Sequence, residues 1–253
     1  MNDLALIQTP NKGFGSFIVI GNDLIGRFIN HHGFWEVHLL HIYTNFLKET
    51  DVVLDAGANL GFHTVNMAKK CRHIYAFEPQ PLMYNLLSTN VLFGNCTHKV
   101  TQFRLGLGDK EEVVKMQALK DFDEKDGTHN FGGRGISKND EGEELINVVA
   151  FDSLGLDVTV IKMDIQGYEL HALRGMLETV KRSLPWIMLE NYMGEGHEDD
   201  EEVLKILFDL GYEIYRFKAI SEEDCICINK NNPNHADIKA ALEGTLKDHY
   251  RKI

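Results

Sequence analysis

The chain of 253 residues is 43% apolar and 25% charged, which suits one α/β domain with an ordinary hydrophobic core. Its 26 Lys and Arg against 38 Asp and Glu leave a net charge of −12, excluding a general attraction to nucleic acid or anionic lipid and leaving room only for a local basic patch. Residues 1–15 have neither the basic start nor the apolar run of an export signal, and no segment approaches the roughly 18 apolar residues of a membrane span. The expectation is a soluble, cytoplasmic protein.

In chain order, 17–24 reads as a short strand and 35–47 as a helix, with Val37, Leu40 and Phe46 at helical spacing; together they form a lead-in over 1–50. Short apolar runs then alternate with amphipathic segments: strands at 52–54, 74–77 and 100–105, helices at 62–69 and 82–93. That βαβαβ rhythm implies a parallel sheet. Residues 113–116 and 145–149 read as a hairpin or insertion, about 110–150, around a polar, Gly-rich stretch at 121–142. A stretch of that length is either a substrate lid or a solvated linker, and the sequence leaves both open.

The alternation resumes with a strand at 158–163, a helix at 168–180, a strand at 186–189, a helix at 201–210, and strands at 212–217 and 225–229. The short connection between the last two strands requires antiparallel pairing, because a parallel crossover needs a dozen or more residues. Residues 236–251 read as a terminal helix, so the whole is one domain over 1–253 with a core at 51–230 and a C-terminal helix within 231–253. Cys71, Cys96, Cys225 and Cys227 are too few and scattered for a disulfide framework. Cys225 and Cys227 fall on one face of a strand, where packing is the simpler reading.

The strand at 52–54 runs directly into DAGANLG at 55–61, where a parallel strand turns into its crossover helix and open α/β sheets bind ligands. Gly57 permits the turn and Gly61 lets the next helix pack close, while Asn59 offers a polar contact. The spacing departs from G-x-G-x-x-G, and Asp55 stands where a pyrophosphate is repelled and an ammonium welcomed. A cationic cofactor fits better, and S-adenosylmethionine, with its sulfonium and amino groups, has that chemistry. Glu78, ending the strand at 74–77, is placed to accept from ribose hydroxyls. Asp109, read as the end of the third strand, stands near the adenine or is a structural turn residue.

Together GFWE at 33–36, VVLDAGANLGFHT at 52–64, FEP at 77–79, IKMDIQGYE at 161–169, LRG at 173–175 and PWIMLEN at 185–191 resemble the FkbM family of methyltransferases over about 33–191. The resemblance implies a Rossmann-like class I methyltransferase fold: a seven-strand, mostly parallel sheet with helices on both faces and an antiparallel last strand. It also implies S-adenosylmethionine as donor and methylation of a hydroxyl on a sugar, glycan or small metabolite. Glu36 matches the family and is expected to help close the donor site. Gln166 departs from it, standing where the family commonly has Glu.

Asp164 and Glu169 follow the strand at 158–163, and Glu190 with Asn191 follows its neighbour, so Asp164, Glu190 and Glu169 are the carboxylates expected to orient the acceptor or take its proton. Asp164 and Glu190 together would alternatively hold a divalent cation, leaving metal dependence undecided. Lys162 pairs with a carboxylate or takes part in catalysis. His63 is a packed or capping residue or faces the donor, His38 and His41 read as a wetted helix face, and His197 is a loop residue near the acceptor. The expected partner is a small-molecule or glycan acceptor, with no nucleic acid. A binding module without turnover, or an N-methyltransferase, are the alternatives.

Overall fold

The computed structural model describes residues 4–123, 126–137, 142–192, 198–218 and 223–253. The chain divides into two compact units, one of Met1–Asp51, Gly57–Gly106 and Glu112–Val148, the other of Val52–Ala56, Leu107–Glu111 and Val149–Ile253.

In the first unit, β1 (Leu6–Gln8) pairs antiparallel with β2 (Ile18–Ile20), which lies within the strand expected at 17–24, and α1 (Leu24–His32) follows in a stretch to which the sequence pattern assigned no element. Asp23 caps α1 by accepting the Gly26 N–H, and Gly33 closes it at φ 86°. α2 (Val37–Phe46) and α3 (Phe62–Ala68) form as expected. β4 (His73–Phe77) and β5 (Val100–Phe103) are parallel, joined through α4 (Pro81–Phe93), whose Pro stands at the first turn where no amide hydrogen is needed. Asn90 of α4 binds both the N–H and the carbonyl of Ile18 and also the Leu60 carbonyl, tying the lead-in to the glycine loop.

The expected hairpin is present: β7 (Glu112–Met116) pairs antiparallel with β8 (Glu144–Val149), in a three-stranded sheet with the short β6 (Gly106–Leu107). The third strand of the main sheet ends at Phe103. Asp109 therefore does not terminate it, because the chain leaves β5 and joins a different sheet at β6.

In the second unit, β3 (Val52–Ala56), β9 (Val160–Met163) and β10 (Trp186–Glu190) are parallel neighbours and almost wholly buried, hence their mainly apolar character, broken by Asp55, Lys162 and Glu190. β12 (Asp224–Asn229) runs antiparallel to both β10 and β11 (Tyr212–Phe217), the arrangement that their short connection required. β13 (Tyr250–Lys252) adds an antiparallel edge to β11, so among the described residues the main sheet has eight strands where seven were expected.

Two helices differ from expectation. The segment at 168–180 breaks into α5 (Glu169–Arg174) and α6 (Leu177–Ser183), since Gly175 lies against backbone: a Cβ there would stand 1.8 Å from the Gly108 carbonyl oxygen. The unit is completed by α7 (Glu198–Asp209) and α8 (His235–Glu243), the latter ending at Gly244 before the chain extends into β13. Cys71, Cys96, Cys225 and Cys227 are all buried and free.

Candidate functional site

The glycine loop of the first unit is folded back on the end of β4. The Gly57 and Ala58 amides both donate to the Phe77 carbonyl at 3.0 Å. Asn59 has φ 50° and Gly61 φ 89°, and a Cβ on Gly61 would lie 2.8 Å from Leu87 Cδ1, so glycine serves both the turn and the close approach of α4. Glu78, only 3% exposed, locks the loop from below: one carboxylate oxygen accepts the Asn59 N–H and the other the Gln80 N–H, each at 2.8 Å. Glu78 thus positions the loop.

Beside the loop, the Glu36 carboxylate lies 2.9 Å from His63 Nε2, and Tyr43 Oη is 3.3 Å from His63 Nδ1. Glu36 holds φ 44°, a conformation unusual for a residue with a Cβ. His63, near the start of α3, is therefore the partner of Glu36.

Residues 126–137 of the polar insertion form a strap stitched to the same unit. The His129 carbonyl accepts the Leu24 N–H, the Phe131 N–H donates to Asp23, and the Phe131 carbonyl accepts from Gln80. Arg134, 8% exposed, donates to Gln80 Oε1, Glu144 and the Gln117 carbonyl. Burial pushes the Asp23 carboxyl up, against the backbone N–H groups that pull it down. Asp23, Gln80 and Arg134 were not singled out from the sequence; the N-cap position of Asp23 before an apolar helical stripe ending in Gly33 was the available signal.

In the second unit, the C-terminal ends of β3, β9 and β10 gather a charged cluster. Lys162, 3% exposed, places Nζ 3.6 Å from Asp55 Oδ1 and 3.6 Å from Asp164 Oδ2. The parallel register sets Lys162 opposite Asp55, which makes the ammonium the partner of a fully buried carboxylate. Gln166 Nε2 donates to Asp164 Oδ1 at 2.8 Å and to Glu190 Oε2 at 2.9 Å, while Tyr192 donates to Glu190 Oε1 at 3.1 Å. Gln166 stands at φ 56° and Gly167 at φ 87°, so a tight left-handed turn aims the amide at the pair.

Burial, then the charges of Asp164 and Glu169, raises the Glu190 carboxyl far above the usual carboxylate range. Glu169, 3% exposed, accepts the Ile165 N–H at 2.9 Å and is pushed up to about 7, chiefly by burial. It braces the turn from beneath.

The remaining expected residues have local partners of their own. Asp109 Oδ2 is 3.7 Å from His171 Nδ1, and the Asn191 side chain is buried on the Asp200 carbonyl and Arg216. His41 is exposed and His38 half-buried, a wetted helix face. His197 lies outside the described residues. Among the described residues, no helix is long and apolar enough to cross a membrane.

The model of the methyltransferase FkbM domain matches residues 55–214, which contain the glycine loop, Glu78 and the Asp164–Glu190 cluster. The chain belongs to the FkbM methyltransferase family. Hexuronic acid methyltransferase AglP of Haloferax volcanii is 25% identical over 199 residues, covering 78% of each chain. Methyltransferase sdnD of Sordaria araneosa is 26% identical over 209 residues, covering 68% of this chain and 78% of that protein. The crystal structure of methyltransferase FkbM from Methylobacillus flagellatus KT superposes with a TM-score of 0.53 at 20% identity. It covers 81% of this chain, which spans about half (52%) of that one, and the likeness establishes the Rossmann-like methyltransferase fold.

Proposed function

We propose that this methyltransferase uses S-adenosylmethionine to methylate a hydroxyl of a sugar or a related small hydroxylated acceptor. The observation that carries the donor assignment is the loop at 57–61 closed onto the Glu78 carboxylate. A carboxylate offers about four lone-pair directions, so an anchor for two amides is compatible with two ribose hydroxyls as further donors. Gly57 permits the turn and Gly61 the close approach of α4, Asn59 adds a polar group, and Glu36, held by His63, supplies a carboxylate suited to an ammonium. Asp55 and Lys162 form a buried pair at the start of the loop, so Asp55 acts on the donor through the local field and Lys162 as its counter-ion.

When bound, the donor supplies an electrophilic methyl group on a sulfonium. An alcohol near neutral pH is a poor nucleophile unless a base takes its proton as the new C–O bond forms. Asp164 suits that role by position: Lys162 faces one of its oxygens at 3.6 Å and the Gln166 amide holds the other at 2.8 Å. Glu190, held on the neutral side by burial and by Asp164, shares the amide without competing for the proton. The acceptor oxygen would gain the methyl group as its bond to sulfur breaks, leaving the donor a neutral thioether, and Asp164 would gain the proton. Asp109 and Glu169 take structural parts, as partner of His171 and brace of the turn.

Sugars come first among acceptors because the Haloferax volcanii relative is named for a hexuronic acid. The test is transfer of radiolabelled methyl from S-adenosylmethionine to a panel of uronic acids and neutral sugars, with and without magnesium. An alkali-stable methyl ether supports the reading. Label found only as an ester or on nitrogen refutes it, and tight donor binding without any transfer assigns a binding module instead.

A further inference from the structure

The outward face of α1 carries chemistry that the donor loop and the carboxylate cluster do not use. Leu24, Arg27, Phe28, His31 and His32 recur at i, i+3, i+4, i+7 and i+8, which makes them one stripe, while Ile25, Gly26 and Ile29 face the core. An exposed stripe normally holds scattered polar residues. This one holds a nest of rings: Phe28 lies with its centroid 4.3 Å from His32, 5.3 Å from Trp35 and 5.7 Å from Phe34. The strap forms the opposite wall, and between the two runs a groove of about 760 Å³ lined by Arg27, Phe28, His31, His32, Asp126 and Thr128. Small-molecule sites occupy roughly 300–1,000 Å³ and combine aromatic walls with a few fixed polar groups.

The polar groups here are paired. Arg27 donates to Asp126 at 3.1 Å and also to Thr128 Oγ1, and Asp126 in turn accepts the Thr128 N–H at 3.0 Å. A guanidinium and a carboxylate locked side by side present donors and acceptors together, which matches vicinal hydroxyls better than a bare anion. The rings beside them match the C–H face of a pyranose. Asp126 offsets the charge of Arg27, so neither a phosphate nor a purely apolar ligand is favoured.

The strap also links this groove to the donor loop. Four residues beyond Thr128, a Cβ on Gly132 would stand 3.3 Å from Asn59 Nδ2. Four residues span at most about 14 Å, the reach of a short oligosaccharide. We propose that the groove between α1 and the strap is a sugar subsite, which receives a pyranose ring of the acceptor against Phe28 and the Arg27–Asp126 pair. This assignment rests on the reading of the chain as a sugar methyltransferase.

The test measures sugar binding without turnover. Methyl β-glucuronide and methyl β-glucoside are titrated into the full chain with S-adenosylhomocysteine present, read by calorimetry and by the fluorescence of Trp35, the other tryptophan, Trp186, being fully buried. Saturable binding is expected, weakened at least tenfold by Arg27→Gln and by Phe28→Ala, with S-adenosylhomocysteine affinity unchanged in both variants. The ratio of the two sugars then reports whether the acceptor is acidic or neutral. No saturable binding of either sugar overturns the proposal, as does binding that both variants retain. Sugar binding by a protein that fails to bind S-adenosylhomocysteine supports the groove and sinks the assignment of S-adenosylmethionine as donor.

Discussion

Glu169→Gln should make the protein more stable relative to the parent as pH rises. Glu169 is 3% exposed, and burial followed by the charges of Asp164 and Asp200 raises its carboxyl from 4.5 to about 7 against two backbone N–H groups that lower it. Below about pH 4.5 both folded and unfolded chains hold the proton, and the group costs nothing. Between there and about 7 the unfolded chain releases the proton while the folded chain keeps it, so folding stability falls with each pH unit and levels off above 7. Each unit is worth about 1.4 kcal/mol, which gives a loss of roughly 3 kcal/mol. Glutamine keeps an oxygen for the Ile165 N–H and has no proton to lose. Urea denaturation of both proteins from pH 5 to 8 should show the variant gaining most of that 3 kcal/mol before pH 7, whatever constant offset separates the curves. A difference that stays flat with pH refutes the placement of an uncompensated carboxyl beneath the turn.

Lys162→Met leaves Asp55 buried without its cation, 3.6 Å away in the parent, and should cost about 3–5 kcal/mol in denaturant unfolding, largely restored by adding Asp55→Leu. Gly175→Ala forces a Cβ to within 1.8 Å of the Gly108 carbonyl oxygen, so backbone must move and a loss of about 3 kcal/mol is expected. Gly155→Ala, at φ 62° with nothing within 4 Å, should cost only about 1 kcal/mol in the same experiment.

The parts of the fold that could be read in advance are those whose cause is local. β3, the glycine loop, α3 and β4 follow from short buried runs punctuated by Gly57, Gly61 and Pro79, and β11 with β12 from a connection too short for anything but an antiparallel pair. α1 escaped because Gly26 and the His31–His32 end weaken its helical pattern, although Asp23 and Gly33 mark both of its limits. β13 is three residues long, two of them charged and exposed, and exists because β11 offers it an edge. Asp109 was misplaced because β6 is recruited by β8, some forty residues on, which no local pattern encodes. The same holds for the sites. Asp164 and Glu190 stood out as strand-end carboxylates, but that one amide of Gln166 joins them depends on the register of β9 with β10. Nothing in the spacing of residues 126–137 shows that they grip Asp23 and Gln80.

The most direct test of the donor assignment is calorimetric titration of S-adenosylmethionine, and separately NAD, into the parent chain and Glu78→Ala, with circular dichroism to verify folding. One saturable site for S-adenosylmethionine and none for NAD are expected. Loss of two hydrogen bonds to a charged group, about 1.5–3 kcal/mol each, should weaken the variant at least about a hundredfold. A folded parent chain that does not bind S-adenosylmethionine, or a Glu78→Ala variant that binds it as tightly, contradicts the account.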